Sequence, residues 1–427
     1  MTPEERLAAA LVPEEEQPYQ LPEGWKWVYG KGFFLPMETE YPTGDSFRYI
    51  DIESIDNSVQ RVRCPKNLPV KKAPSRASRK LHIGDTLFSM VRPYLKNIAY
   101  IDEEYSDCIG STGFYVCTPT PLVDRHYLYW LMVSPFVVNG LNHFMKGDNS
   151  PSIRKGDIEK FVYPIPRLSE QQRLVARIES LFAKLDAAKE QAQSVLDSHE
   201  NRKAALLHAA FAGKLTAKWR EEHKFSYNEW HLVCIKDICH SLKYGTAKKS
   251  EASGRYVVIR MGNLFDGEIL WDNLDYSNDN EDIEKYQLTP GDVLFNRTNS
   301  AALVGKTSIY RGDYPAIYAG YIIKLDYDRK TIDGEFLNYI MNSPCAKTYC
   351  NKVKTDGVNQ SNINAKKIGA FQFKLPSLPE QQEIVRILDR LFAREQRARQ
   401  AAEETLAAID RMKQSILARA FRGELGA

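Results

Sequence analysis

The stretch at residues 165–182, IPRLSEQQRLVARIESLF, returns 210 residues later (165 to 375) as LPSLPEQQEIVRILDRLF. A repeat of that period is too long for a solenoid and marks a tandem duplication of a large unit. Other segments keep the same order and nearly the same offset. Each copy begins near a tryptophan, Trp25 or Trp230, followed by a strand-like run, RYIDI at 48–52 or YVVIRM at 256–261. LHIGDTLFS at 81–89 then matches LTPGDVLFN at 288–296, and a Gly-Asp turn leading into apolar residues reads as turn then strand. YLYWLMVSP at 127–135 matches FLNYIMNSP at 336–344, a helix stopped before proline. GDNSPSI at 147–153 matches GVNQSNI at 357–363.

The repeated stretch opens a long helix in both copies. Leu174, Ile178, Leu181, Leu185, Ala188, Ala192 and Val195 alternate steps of four and three, and no Pro or Gly interrupts from 170 to 212. Ile384, Leu388, Leu391, Ala398, Ala402, Leu406, Ile409 and Ile416 form a similar seam, broken by Glu395 where the first copy has Leu185. Heptad seams are expected of helices that pair side by side. Both helices close alike, AAFAGKL at 209–215 and RAFRGEL at 419–425, with Gly213 and Gly423 as stops. The expected fold is α+β: two similar mixed α/β modules, related by an internal pseudo-two-fold repeat and held apart by two antiparallel helices. The boundaries read as an N-terminal extension at 1–20, a first module at 21–168 and a first spacer helix at 169–218. A second module at 219–378 and a second spacer helix at 379–427 follow. The extension, without a counterpart in the second copy, is expected to add a helix. The polar segment 218–230 is expected to be the linker between halves.

The chain has 427 residues, and a hydrophobic share of 43% gives enough apolar material for two sizeable cores. A formal net charge of +3 neither requires nor excludes nucleic acid, so any basic surface is local. No apolar run approaches the ~20 residues that span a bilayer, and the acidic N-terminus lacks a secretory core. A cytoplasmic protein with no membrane partner is expected. The seven scattered cysteines fit reduced thiols; Cys234/Cys239 and Cys345/Cys350 lack the tighter Cys-x-x-Cys or His pairing of structural zinc, so no metal is expected.

Catalytic signatures do not hold up. Gly305-Lys306-Thr307 resembles the end of a phosphate-binding loop, but Ser300 stands where that loop needs glycine. Asn342-Ser343-Pro344-Cys345 lacks the second proline and the stacking aromatic of an amino-methyltransferase tetrad. A binding protein is the better reading.

The ordered set of Leu-x-x-Gln-Gln openings (168–172 and 378–382), Gly-Asp-x-Leu-Phe turns and Ala-Phe-x-Gly-x-Leu closures resembles the specificity subunit of a type I restriction–modification enzyme. The likeness runs from about Leu21 onward. It implies two target-recognition domains, each reading one half of a split, asymmetric sequence in double-stranded DNA. It implies long helices that act as a ruler and dock two modification (methyltransferase) subunits. Those subunits carry S-adenosylmethionine, while this chain holds no cofactor and no catalytic residue. Restriction subunits, which carry motor and nuclease, would join through the complex. A coiled-coil scaffold, or a DNA-binding subunit serving another effector, is the competing reading.

DNA affinity comes from Lys and Arg on phosphate, and specificity from side chains on base edges. Loops at equivalent places in the two copies are therefore the candidates. After the first Gly-Asp turn these are Arg92, Tyr94, Lys96 and Asn97; after the second, Asn296, Arg297, Thr298, Asn299 and Lys306. Lys71, Lys72, Arg76, Arg79 and Lys80, with Lys243, Lys248 and Lys249, read as phosphate contacts. Before the long helices stand Lys146, Asn149, Ser152, Arg154 and Lys155, and then Lys354, Asn359, Gln360 and Asn362. The exposed Gln-rich helix openings are expected to remain free for modification subunits.

Overall fold

A computed structural model describes residues 1–358 and 360–425. The candidate Asn359 lies outside them. The described residues form two units: Met1–Gln193 with the C-terminal stretch from Glu403, and Ser194–Ala402.

The first unit opens and closes its recognition module on one antiparallel ribbon, Lys26–Tyr29 against Val162–Ile165, in the register Lys26↔Ile165. Inside lie an antiparallel sheet of Phe114–Cys117, Thr86–Ser89 and Ile98–Tyr100, and a mixed four-stranded sheet. The mixed sheet holds one parallel pair, Ser46–Ile50 beside Ile109–Ser111. Helices Arg125–Val133 and Pro135–Asn142 cover the core, which includes Phe88, Tyr115, Tyr127 and Leu128.

The second unit repeats the plan. Its ribbon is His231–Cys234 against Gln372–Leu375, in the register His231↔Leu375. Val293–Asn296 stands between Thr307–Ile309 and Ile322–Tyr327, and Tyr256–Ile259 has Ala316–Tyr318 as a parallel neighbour. Helices Gly334–Met341 and Pro344–Val353 again cover the core. Ser134 and Ser343 explain the repeated Ser-Pro: each hydroxyl accepts a backbone N–H of the second helix, whose first residue is the proline. Such a cap contributes about 1 kcal/mol. Gly84 and Gly291 take φ of +91° and +94° in the Gly-Asp turns, a region that disfavours a Cβ. Asp85 and Asp292 close these turns by accepting the backbone N–H of His82 (2.8 Å) and Thr289 (2.9 Å).

The seams bury as their spacing predicts at Leu174, Ile178, Ala192, Ile384, Leu388, Ala402 and Ile409; Leu181, Leu185, Leu391 and Leu406 are half-buried. In the first unit Lys413 Nζ lies 2.6 Å from Asp186 and over the Phe182 ring. In the second, Arg202 Nε lies 2.8 Å from Glu395. There Lys203 also lies over the Phe392 ring, and a partner number that falls as the other rises is the mark of antiparallel helices. Glu395, which breaks the heptad pattern, is thus accommodated by an ion pair.

Four expectations need correction. The first long helix is two, Leu168–Asp197 and His199–Phe211, because the Ser198 hydroxyl bonds back to Ser194 O at 2.5 Å and Arg202 Nη2 caps Val195 O at 3.0 Å. Ala398 is exposed rather than in the seam. The segment from 218 to 230 is anchored in the second unit: Glu380, 1% exposed, accepts from Arg220 Nη1 (2.6 Å), Thr216 Oγ1 (2.7 Å) and Trp230 Nε1 (2.9 Å).

The fourth concerns the Gln-Gln openings. Gln171 and Gln381 are fully buried. Gln171 Nε2 donates to Leu122 O (3.1 Å) and Pro166 O (2.9 Å), while its Oε1 accepts from Asp124 N (2.7 Å). Gln381 repeats this with Thr331 O (3.1 Å), Pro376 O (2.9 Å) and Asp333 N (2.8 Å). The first glutamine of each pair therefore pins the long helix to its module, and only Gln172 and Gln382 are exposed.

The N-terminal extension contains a helix, Pro3–Ala8, with Thr2 as its cap. Beyond it Leu11 bridges Val28, and the Tyr19 hydroxyl donates to Phe421 O at 3.0 Å.

Candidate nucleic-acid interface

The strand after each Gly-Asp turn ends in a loop that is tied to the loop before the long helix. In the first module Val91 and Lys146 both form β-bridges with Ser152, and Ile153 N donates to Met90 O at 2.9 Å. In the second, Thr298 and Thr355 both pair with Asn362, and Ile363 N donates to Arg297 O at 2.8 Å. The partners correspond (91 to 298, 146 to 355, 152 to 362), so each copy ties the same three-segment knot. Distant stretches of sequence are brought together there by main-chain hydrogen bonds, which leaves the side chains free to differ.

The first knot presents Arg92, Tyr94, Lys146, Asn149, Arg154 and Lys155 at the surface, with Lys96 and Ser152 half-buried. Arg92 sits in the left-handed region at φ 48°, its Nη2 donating to Asn149 O at 2.7 Å. Lys155 pairs with Glu159 at 3.5 Å.

In the second knot the Arg297 guanidinium stacks 4.8 Å from the centroid of Tyr244, and Nη1 donates weakly to Gly320 O at 3.3 Å. Its Nε is buried without a partner. The main-chain N–H of Arg297 donates to Tyr321 O, and Tyr321 is itself 53% exposed. Asn299 and Asn362 are half-buried, and Gln360 is exposed. Asn362 Nδ2 donates to Thr298 Oγ1 at 2.7 Å. Lys306 lies over Phe265, and Lys354 donates to Ala301 O at 3.1 Å.

Several predicted contacts are turned inward. Asn296 is fully buried, with Nδ2 toward Met261 O (3.5 Å) and Oδ1 accepting from Thr298 N (3.2 Å); Thr298 and Asn97 are 6% exposed. The polar groups of Asn296 and Thr298 are spent on the fold. The basic loops also differ. Lys71, Lys72 and Arg76 are exposed with no ion pair among the described residues, Arg79 is half-buried, and Lys80 lies 3.7 Å from Glu38. In the second module Lys243 pairs with Asp326 at 3.3 Å. Lys248 faces Asp279 (2.9 Å), Glu281 (3.2 Å) and Asp282 (3.5 Å), and bonds to the first two carboxylates push its pKa up. Lys248 is thus engaged by three carboxylates that would compete with phosphate for its ammonium, while Lys249 stays exposed.

Tyr244 and Tyr321 were not singled out from the sequence. Tyr244 ends the strand Cys239–Tyr244, in a stretch expected to be a basic loop and read for its lysines; nothing in the spacing around Tyr321 marks it.

A duplicated α/β protein with a polar knot on each module and a long helical segment after each is what a bipartite reader requires. Comparison gives it a place. The model of the type I restriction modification DNA specificity domain matches residues 46–196 and 227–404. The chain is 29% identical over 314 residues to the type I restriction enzyme StySPI specificity subunit of Salmonella potsdam, covering 72% of this chain and 67% of that one. It is 26% identical over 429 residues to the EcoKI specificity subunit of Escherichia coli (strain K12), covering 96% and 90%. The crystal structure of the HsdS subunit from Thermoanaerobacter tengcongensis superposes with a TM-score of 0.72 at 27% identity, over 96% of this chain and 100% of that one. The chain belongs to the type I restriction–modification DNA specificity family, and DNA recognition is its function.

Among the described residues no helix is long and apolar enough to cross a membrane.

Proposed function

We propose that this chain reads a split, asymmetric duplex target, one half-site per module, through the two knots. The observation that carries the reading is the identical backbone tie furnished with different side chains: Arg92, Asn149 and Arg154 in one copy, Arg297, Asn299 and Gln360 in the other. A constant frame with variable polar groups is what two unrelated half-sites require. Arg suits guanine, and Asn or Gln suits adenine. Lys71, Lys72, Arg76 and Lys249 flank as phosphate contacts.

The chain itself is non-catalytic and cytoplasmic in this reading. Two methyltransferase subunits bearing S-adenosylmethionine dock along the outer faces of the long helices, near Gln172 and Gln382, and restriction subunits join through that complex. Helix length sets the spacing of the half-sites. The test is modified-base sequencing of genomic DNA with and without the gene. A split motif carrying N6-methyladenine should vanish on deletion; an unchanged methylome in cells that express the methyltransferase subunits would remove this reading.

A further inference from the structure

A cleft of about 770 Å³ opens in the first unit, away from the knot, lined by Glu38, His82, Asp85, Tyr100, Thr120 and His126 among others. Asp85 is 1% exposed. Its Oδ2 accepts from His82 N and lies 3.4 Å from His82 Nδ1; its Oδ1 has no partner at full hydrogen-bond geometry, although burial raises the carboxyl's pKa and the nearby Thr118 hydroxyl of the same cleft works against that rise. Thr120, 2% exposed, lines the same cleft, and its Oγ1 also lacks a partner. Buried polar atoms without partners are rare and costly.

The second module shows what this position accepts. Asp292 stands at the same place in the repeat (85 to 292). Its Oδ2 takes Lys324 Nζ at 3.0 Å and its Oδ1 takes Arg329 Nη2 at 3.1 Å. Lys324 pairs with Leu294 across the strands, where the first module sets Val116 against Leu87. The first copy has the buried carboxylate without the lysine. Arg125, the nearby arginine of the cleft, donates to Ile83 O at 2.8 Å instead.

We infer that the first-module cleft binds a cationic nitrogen, an ammonium or guanidinium on an aliphatic stem, with Asp85 Oδ1 and Thr120 Oγ1 as acceptors. Leu35, Ile83 and Val123 supply apolar wall for the stem; of the other charged groups there, Glu38 already faces Lys80, Asp124 caps a helix and Arg125 is cationic, so Asp85 is the carboxylate left for the ligand. Such a group comes either from a free aliphatic amine or from a lysine or arginine of a docked subunit. Leu168 and Gln172, in the first turn of the long helix, also line the cleft; only this second source rests on the docking proposed above.

The test is calorimetric titration of the full chain with n-butylammonium and with methylguanidinium, n-butanol serving as neutral control. One saturable site per chain, at least tenfold weaker in Asp85→Asn and weaker in the exposed-rim variant Glu38→Gln, establishes a free amine as ligand. If neither cation binds but Asp85→Asn weakens assembly with the methyltransferase subunits tenfold, leaving half-site discrimination intact, the ligand is a subunit side chain. Should Asp85→Asn fail to fold, Glu38→Gln and Thr120→Val carry the same comparison. Neither effect in the folded variants means a cleft filled only by water and overturns the inference. DNA recognition is measured on the same preparations, so its failure registers separately.

Discussion

Arg297 is, in the proposed reading, a contact to a base edge of the second half-site. Tyr244 holds its plane from one face and Gly320 O tethers one nitrogen. Replacing it with alanine should weaken binding and relax one position of the second half-site by about 1–3 kcal/mol. Competition binding with single-base variants measures both. Lysine should not rescue discrimination, because it lacks the planar fork; full rescue would make Arg297 a phosphate contact instead. Gln381 is the opposite kind of residue. Gln381→Ala leaves Asp333 N, Thr331 O and Pro376 O without their partner, and each buried orphan costs about 1–3 kcal/mol. Urea unfolding should show that loss, and the half-site read should not change. Gln382→Ala, one residue on and exposed, should leave stability within about 0.5 kcal/mol.

Among the elements, the helices were legible and their joints were not. Seam residues such as Ile178 and Ile409 follow from spacing, since a 3.5-residue period admits one buried face. The break at Ser198 depends on one hydroxyl choosing a carbonyl four residues back, which no periodicity encodes. The Arg220–Glu380 pair joins residues 160 apart, so a polar segment was readable as a linker when it is an anchor. The same limit applies to the site: the loops forming both knots were visible as aligned pairs. Yet the inward turn of Asn296 and the carboxylates around Lys248 depend on partners the spacing does not name. Glu380→Ala should cost about 3–5 kcal/mol, because Arg220 would remain buried without its counter-charge. Glu395 offers a gentler comparison. Glu395→Leu alone leaves Arg202 unpaired, whereas Glu395→Leu with Arg202→Leu should be at least as stable as the natural pair. Thermal unfolding of the three chains ranks them; a double variant less stable than the natural pair would contradict it.

At the level of the whole molecule, two linked readers gain from each other. Once one half-site is engaged, the second binds at an effective concentration set by the connection. Scrambling either half-site in an oligonucleotide should therefore cost about 10²–10⁴ in affinity, beyond what an isolated module would lose. Both losses should fall on the module whose half-site was changed, and added salt should weaken all the duplexes together through the phosphate contacts.

Each module starts and finishes on one ribbon, Lys26 beside Ile165 in one and His231 beside Leu375 in the other. The chain thus leaves the helical frame and returns to it at a single place. A recombination event cutting at both strands of a ribbon would transplant a complete reader while leaving the glutamine pin and helix seam to receive it. Inheritance can then exchange a half-site in one step, and a lineage can acquire a new target without rebuilding the assembly that acts on it.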